Sequence, residues 1–375
     1  MNLGLPSIDE NRVLASFLEL VKIDSPTFAE QAIAATLEAR LRAPGIAATN
    51  DLSGPHGGGN VIGRAPDTRA DPAFGEPICL CAHMDTVQPG LGVKPVVEDG
   101  IVRSDGTTIL GADNKQAIAA ILEAIQTVFA SGRSHRPFDV LFTWGEEKGH
   151  LGAHSVDLGA LRATSAYVFD AGDEIGTIIA ETPTAASIVA TFHGRAAHAG
   201  IEPERGISAI QAAALAISRM RLGRIDLDTT ANVGLIEGGT VRNAVPERAV
   251  VQMETRSMRA EAFEEQVAAM TTACQEGAAA VGGTVDIETH VSYRGFRLTP
   301  DDPIVLTAAD ALRRAGYEAR IGRTGGGSDA NTLIPRGMRA VNLGTAMKDL
   351  HSVRENVRVS DIAGLARVIV ALLIR

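Results

Sequence analysis

PICLCAHMDTV, residues 77–87, runs apolar through Ala82 and turns polar at His83. A short apolar run bounded by polar or turn residues reads as a strand buried on both faces, as in sheets covered by helices. Val61 to Arg64, Asp139 to Trp144 and Ala166 to Asp170 have the same character, and the apolar stretch Ala117 to Phe129 reads as a helix between two of these strands. Strands alternating with helices imply an α/β domain. Functional side chains in such sheets gather where strands end, and His83, Glu146 and Asp170 each stand at or just past an end.

Working outward, Ser7 followed by Glu10 reads as a capping box that opens a helix over 8–22, with a second helix near 28–43. From about residue 181 the pattern becomes strand (Ser187 to His193), helix (Gly206 to Arg221), two strands (Ala231 to Ile236, Arg248 to Arg256), helix (Arg259 to Ala280) and strand (Thr284 to Tyr293). That order is the ferredoxin-like β-α-β-β-α-β unit. Alternation then resumes with a helix from Pro303, strands near Arg320 and at Arg339 to Leu343, and a last helix from Ser360. The expected organisation is one α/β domain, 1–180 and 296–375, interrupted by a smaller inserted domain, 181–295.

Composition narrows the function. The 375 residues carry 35 Lys and Arg against 45 Asp and Glu, a net charge of −10. Binding to phosphate backbones or anionic membranes depends on Lys and Arg, so no nucleic-acid or membrane partner is expected. With 10 Phe, 3 Tyr and 1 Trp, base stacking is poorly served as well. Apolar runs such as Val368 to Ile374 fall well short of the roughly 20 residues that span a bilayer. The odd set Cys79, Cys81 and Cys274 gives no disulfide framework, and the acidic first residues do not read as a secretory signal, so a cytoplasmic location is expected.

Within AHMDTV, His83 and Asp85 lie two apart in an extended segment and share a side, so the carboxylate can support the imidazole. LGADNK contributes Asp113, WGEEKGH contributes Glu146 and Glu147, VFDAG contributes Asp170 and KDLHSVREN contributes His351. Adjacent residues past a strand project differently, so one of Glu146 and Glu147 can bind a metal while its neighbour acts as a base. His83, Asp113, Glu147, Asp170 and His351 together supply two nitrogens and three carboxylates, which suits zinc, cobalt or manganese better than calcium. Three carboxylates and one bridging hydroxide balance two divalent ions, and a carboxylate shared between two ions is the pattern of hydrolytic two-metal sites. No HExxH helix is present, Cys79 and Cys81 read as core strand residues, and TGGGSDAN lacks the lysine of a phosphate loop. Gly326, Gly327 and Ser328 in that loop are read as backbone lining a substrate cleft.

SDGTTILGADNK (104–115), GEEKGHLGA (145–153), HGRAAHAG (193–200) and TGGGSDAN (324–331) resemble the co-catalytic metallopeptidase family of peptidase T, carboxypeptidase G and the aminoacylases, and among these its peptidase T branch. The resemblance implies a zinc-peptidase-like catalytic domain with His83 and Asp170 on one ion, Glu147 and His351 on the other, and Asp113 bridging. Asp85 would orient His83, Glu146 would be general base and acid toward a metal-bridged hydroxide, and His198 would help to stabilise the oxyanion. The inserted domain 181–295 would be the family's lid, which supports homodimers, and Asn243 and Arg256 resemble its substrate-contacting positions, while 1–180 and 296–375 would form the catalytic domain. The implied activity is hydrolysis of short peptides, as by a tripeptide aminopeptidase. Rivals are an N-acyl or N-carbamoyl amino acid amidohydrolase, a carboxypeptidase G-like enzyme, or a non-catalytic protein that binds peptides in the presence of metal.

Overall fold

The computed structural model describes residues 4–374. The chain forms two compact units: one takes in the residues up to Glu181, Arg297–Thr324 and everything from Ser328 onward, and the other comprises Thr182–Phe296 and Gly325–Gly327.

The first unit is built on an eight-stranded sheet in the order Ala47–Asn50, Val61–Arg64, Phe138–Thr143, Ile78–His83, Ser165–Ala171, Arg339–Gly344, Thr177–Glu181, Arg320–Arg323. The third to sixth of these strands are mutually parallel, so their carboxyl ends share one edge. Ile78, Leu80 and Ala82 enter the main hydrophobic cluster with residues of the helices Glu10–Val21, Ala112–Ala130, Pro303–Ala315 and Val359–Leu373. Cys79 and Cys81, on the alternate side of the strand, are fully buried, and Cys81 Sγ lies 3.8 Å from Asp329 Oδ2 in the short helix Asp329–Leu333. Both faces are thus covered, which is why the run reads apolar without alternation. The last helix, VSDIAGLARVIVALL, is apolar nearly all round for the same reason. Each of its buried Ile, Leu and Val side chains contributes roughly 1.5–3 kcal/mol to the core.

Two local expectations change, and one small sheet went unread. Asp9, and not Ser7, caps the first helix, accepting hydrogen bonds from the amides of Asn11 and Arg12. The helix expected from Ala117 begins at Ala112, because its first turn is made of buried polar residues, Asp113 to Gln116, that carry no apolar periodicity. A small sheet, Asn356–Arg358, Ile101–Ser104 and Pro95–Glu98, was not visible as a pattern, since two of its strands are short and half exposed.

The second unit holds a five-stranded antiparallel sheet in the order Gly223–Arg224, Thr229–Gly238, Arg248–Ser257, Thr184–His193, Thr284–Tyr293. Helices Ala209–Arg219 and Ala260–Ala279 pack on it through Ala212, Ala213, Ala216, Met270 and Cys274. Apart from the two-residue strand Gly223–Arg224, the elements follow β-α-β-β-α-β order, with strand Thr184–His193 in the interior as that unit requires.

Candidate metal centre

Four parallel strand ends deliver the site. His83 is the last residue of its strand, Asp170 is next to last in Ser165–Ala171, and Glu146 and Glu147 follow Phe138–Thr143 after a tight turn at Gly145. Gly145 sits at φ 61, a left-handed conformation that glycine adopts without strain. His351 comes from the loop after Arg339–Gly344 and is itself left-handed at φ 58. Asp113 enters from the start of helix Ala112–Ala130, where its φ of −79° and ψ of 101° depart from helical values and its peptide bond to Asn114 is cis.

These side chains meet around Asp113. Its Oδ1 lies 3.0 Å from His83 Nε2, which is also 3.5 Å from Asp170 Oδ1. Its Oδ2 lies 3.3 Å from His351 Nε2, which is 3.0 Å from Glu147 Oε1. One carboxylate therefore presents a different oxygen to each of two histidine–carboxylate pairs. Three overlapping groups, His83 with Asp113 and Asp170, Asp113 with Glu147 and His351, and His83 with Glu146 and Glu147, bring their ligand atoms within 4.8 Å of one another. Nitrogen and carboxylate donors of this kind fit a pair of divalent cations.

The electrostatics agree with a site built for cations. Burial, reinforced by the Asp170 charge, pushes the Glu146 carboxyl well above its ordinary range, and burial takes Asp170 up to about 7. Burial opposes protonation of His83, but the charge of Asp170 and hydrogen bonds that the ring donates to Asp113, Asp170 and Asp85 win and raise its pKa. Hydrogen bonds to Asp113 and Glu147 raise His351 to about 10. Against the upward push of burial, hydrogen bonds from His351 and His83 hold the Asp113 carboxyl below the usual range. Such crowding of carboxylates is costly unless cations compensate it.

Asp85 takes a wider part than expected. His83 Nδ1 lies 3.0 Å from the main-chain oxygen of Asp85 and 3.4 Å from its carboxylate. A carbonyl only accepts, so Nδ1 carries the proton and Nε2 is turned to the site. The Asp85 carboxylate accepts from Thr27 Oγ1 at 2.7 Å, the Glu146 amide at 2.9 Å and the Glu147 amide at 3.3 Å, so it anchors the turn that bears both glutamates.

Three supporting residues escaped sequence reasoning. Glu30, 1% exposed, accepts the Gly145 amide at 3.0 Å. Asn342 accepts the Asp170 amide and donates to the Asp170 carbonyl, fixing that residue's backbone. Glu355, also 1% exposed, accepts the amides of Leu110, Gly111 and Asp113. A glutamate four residues after a candidate histidine reads as loop polarity, and nothing in its spacing says that it turns inward.

The remaining candidates lie elsewhere on the chain. His198 and Asn243 are exposed neighbours in the second unit, where the Ala199 amide donates to the Asn243 carbonyl. Arg256 donates to Glu254 and to the Gly325 carbonyl. Gly326 and Gly327 belong to that unit too, and a Cβ on Gly327 would fall 2.6 Å from the Tyr293 ring, so only glycine fits. Ser328 is fully buried in the first unit, its amide donating to Asn331 Oδ1 at the start of helix Asp329–Leu333. Cys79 and Cys81 are core residues whose thiols burial holds protonated.

Comparison with known proteins agrees with this geometry. The chain is 40% identical over 370 residues to the uncharacterized protein YqjE of Bacillus subtilis, covering 98% of each. It is 38% identical to the aminopeptidase PepT of Bacillus cereus, whose crystal structure superposes with a TM-score of 0.84 over 97% of this chain and 98% of that one. This chain belongs to the peptidase T family of dinuclear metallopeptidases. A Staphylococcus aureus tripeptidase is 36% identical and superposes with a TM-score of 0.89 over 97% of this chain and 98% of that one. The model for the peptidase dimerisation domain matches residues 181–281, and that for peptidase family M28 matches residues 60–171. As a peptidase T family member, the chain is a metal-dependent peptide hydrolase with the α/β fold described above. Among the described residues no helix is long and apolar enough to cross a membrane.

Proposed function

We propose that this enzyme is a tripeptide aminopeptidase working with two divalent ions. His83 and Asp170 would hold one ion, Glu147 and His351 the other, and Asp113 both. The observation that carries this reading is the Asp113 carboxylate, with one oxygen 3.0 Å from His83 Nε2 and the other 3.3 Å from His351 Nε2. Zinc suits the donor set, as do cobalt and manganese. When bound, such ions acidify water and polarise the scissile carbonyl.

The protein's own groups supply proton transfer and orientation. Glu146 is 8% exposed, and burial raises its affinity for a proton toward the range useful to a general base that later serves as acid. It would take a proton from the attacking water and return it to the departing amine. Asp85 holds the Glu146 and Glu147 amides, so the base and the neighbouring ligand keep a fixed separation. His198 would stabilise the developing oxyanion, and Asn243, Arg256 and the Gly326, Gly327, Ser328 loop would bind substrate backbone. This assignment is supported by their motifs: HGRAAHAG for His198, GGTVRNAVPE for Asn243, the end of MET for Arg256 and TGGGSDAN for the loop.

Homodimerisation through the second unit is supported by the match to the peptidase dimerisation domain. A reducing, cytoplasmic setting is supported by three buried free thiols. Hydrolysis of a free-amino-terminus tripeptide beside its acetylated form, with and without added zinc, tests the reading. Metal-dependent cleavage of the free form alone is expected; cleavage of the acetylated form alone would instead identify an amidohydrolase.

A further inference from the structure

The Glu355 carboxylate, 1% exposed, spends Oε2 on the Leu110 and Gly111 amides at 2.8 and 2.7 Å and Oε1 on the Asp113 amide at 2.8 Å. It stands four residues after His351. The loop between them is otherwise knitted mainly to itself: Lys348 and Asn356 exchange main-chain hydrogen bonds, the Glu355 amide donates to Ser352, and the Ser352 hydroxyl donates to Asp349. The Glu355 side chain is thus a cross-link from the His351 loop to the loop carrying Asp113.

Asp113 has other anchors on its far side. Its Oδ1 faces His83, and the Asn114 side chain donates to Asp170 Oδ1 at 3.2 Å. Severing the Glu355 contacts leaves those anchors in place and frees the half of the site that contains His351. From this asymmetry, and resting on the two-ion reading above, we infer that Glu355 is a positioning residue that sets the affinity of the His351 half for its ion while leaving the His83 half nearly unaffected.

The isosteric variant is informative because three amide donors need a carboxylate. Glutamine keeps one acceptor oxygen and turns an NH2 group toward amides that also donate, so Glu355→Gln breaks at least one contact without changing volume. Outer partners of metal ligands typically govern ~10–100-fold in metal affinity.

The test is titration of chelator-stripped protein with Zn2+ against a chromophoric competitor, repeated with Co2+ by absorption. The unmodified protein is expected to bind two ions. E355Q is expected to bind the first unchanged and the second ~10–100-fold more weakly, with kcat recovering at saturating metal and KM for a tripeptide unchanged. E355D, which keeps both acceptor oxygens on a shorter stem, should recover part of the second affinity and gives the same comparison if E355Q does not fold. Two undisturbed affinities in both variants, or two affinities that fall by one common factor, would overturn the inference. An unmodified protein that binds a single ion would sink the two-ion reading instead.

Discussion

His83 and His351 approach one carboxylate from opposite sides, yet they are held by different physics. The His83 side chain is 1% exposed, ends a strand paired on both sides, and has its ring set by the Asp85 carbonyl. The His351 side chain is 52% exposed, lies on a loop in a left-handed conformation, and depends on the Glu355 cross-link. The parallel sheet gives one half of the site its rigidity through packing, while the other half obtains it from three hydrogen bonds to one buried carboxylate. A two-ion centre assembled this way should have one tight and one exchangeable position.

The largest effect should come from the residue that both halves share. Asp113→Ala removes a ligand from each ion, so metal content should fall for both, and kcat/KM should drop roughly 10⁴-fold, equivalent to several kcal/mol of barrier; retention of two ions on measurement of metal content would break the comparison at its centre. Next comes Glu146→Gln, which should keep both ions and lose ~10²–10⁴-fold in kcat with little change in KM. Turnover close to that of the unmodified enzyme would remove Glu146 from the chemistry.

The comparison is sharpened by the two histidine variants measured for stability in metal-free protein. His83→Ala removes the buried histidine that the Asp113 and Asp170 carboxylates share and should cost ~3–5 kcal/mol by urea unfolding. His351→Ala, at a half-exposed loop position where solvent screens its pairs with Asp113 and Glu147, should cost less, ~1 kcal/mol near pH 7. Equal costs would mean that the halves do not differ in the way their packing indicates.

How much of this was legible follows the same division. The run from Ile78 to His83 announced a buried strand because both its faces are covered, and the proposed ligands at strand ends could be picked out because polar residues abruptly follow apolar ones. The ferredoxin-like unit was readable because alternation persists along its strands, as in Thr184–His193. Residues that act by turning inward from loops left no such trace. Glu30 and Glu355 look like ordinary loop acids in sequence, and their burial follows from tertiary hydrogen bonds that no local pattern encodes. The carboxylate of Asp85 was expected to hold His83; its grip on the Glu146 and Glu147 amides depends on a sequence separation of about sixty residues that only folding closes.

The smallest effect concerns pH and isolates the exposed half. In metal-free protein, hydrogen bonds to Asp113 and Glu147 raise His351 to about 10, above the roughly 6.5 of an unfolded histidine. A raised pKa favours the folded state wherever the imidazole is protonated there, so this contribution is complete below about pH 6.5 and disappears as pH rises through about 10. Lys115 works the other way, since burial lowers it to about 8 and makes folding easier as it loses its proton. The two slopes overlap, so total stability against pH is uninformative. The difference between unmodified protein and His351→Ala cancels Lys115 and leaves the histidine. That difference should shrink steadily from pH 7 to pH 10 in thermal unfolding of stripped protein. With zinc present it should flatten, because the ion takes the place of the proton on Nε2. A difference independent of pH in the stripped protein would mean that Asp113 and Glu147 do not hold the His351 proton, and the exposed half would then be looser than the distances of 3.3 and 3.0 Å imply.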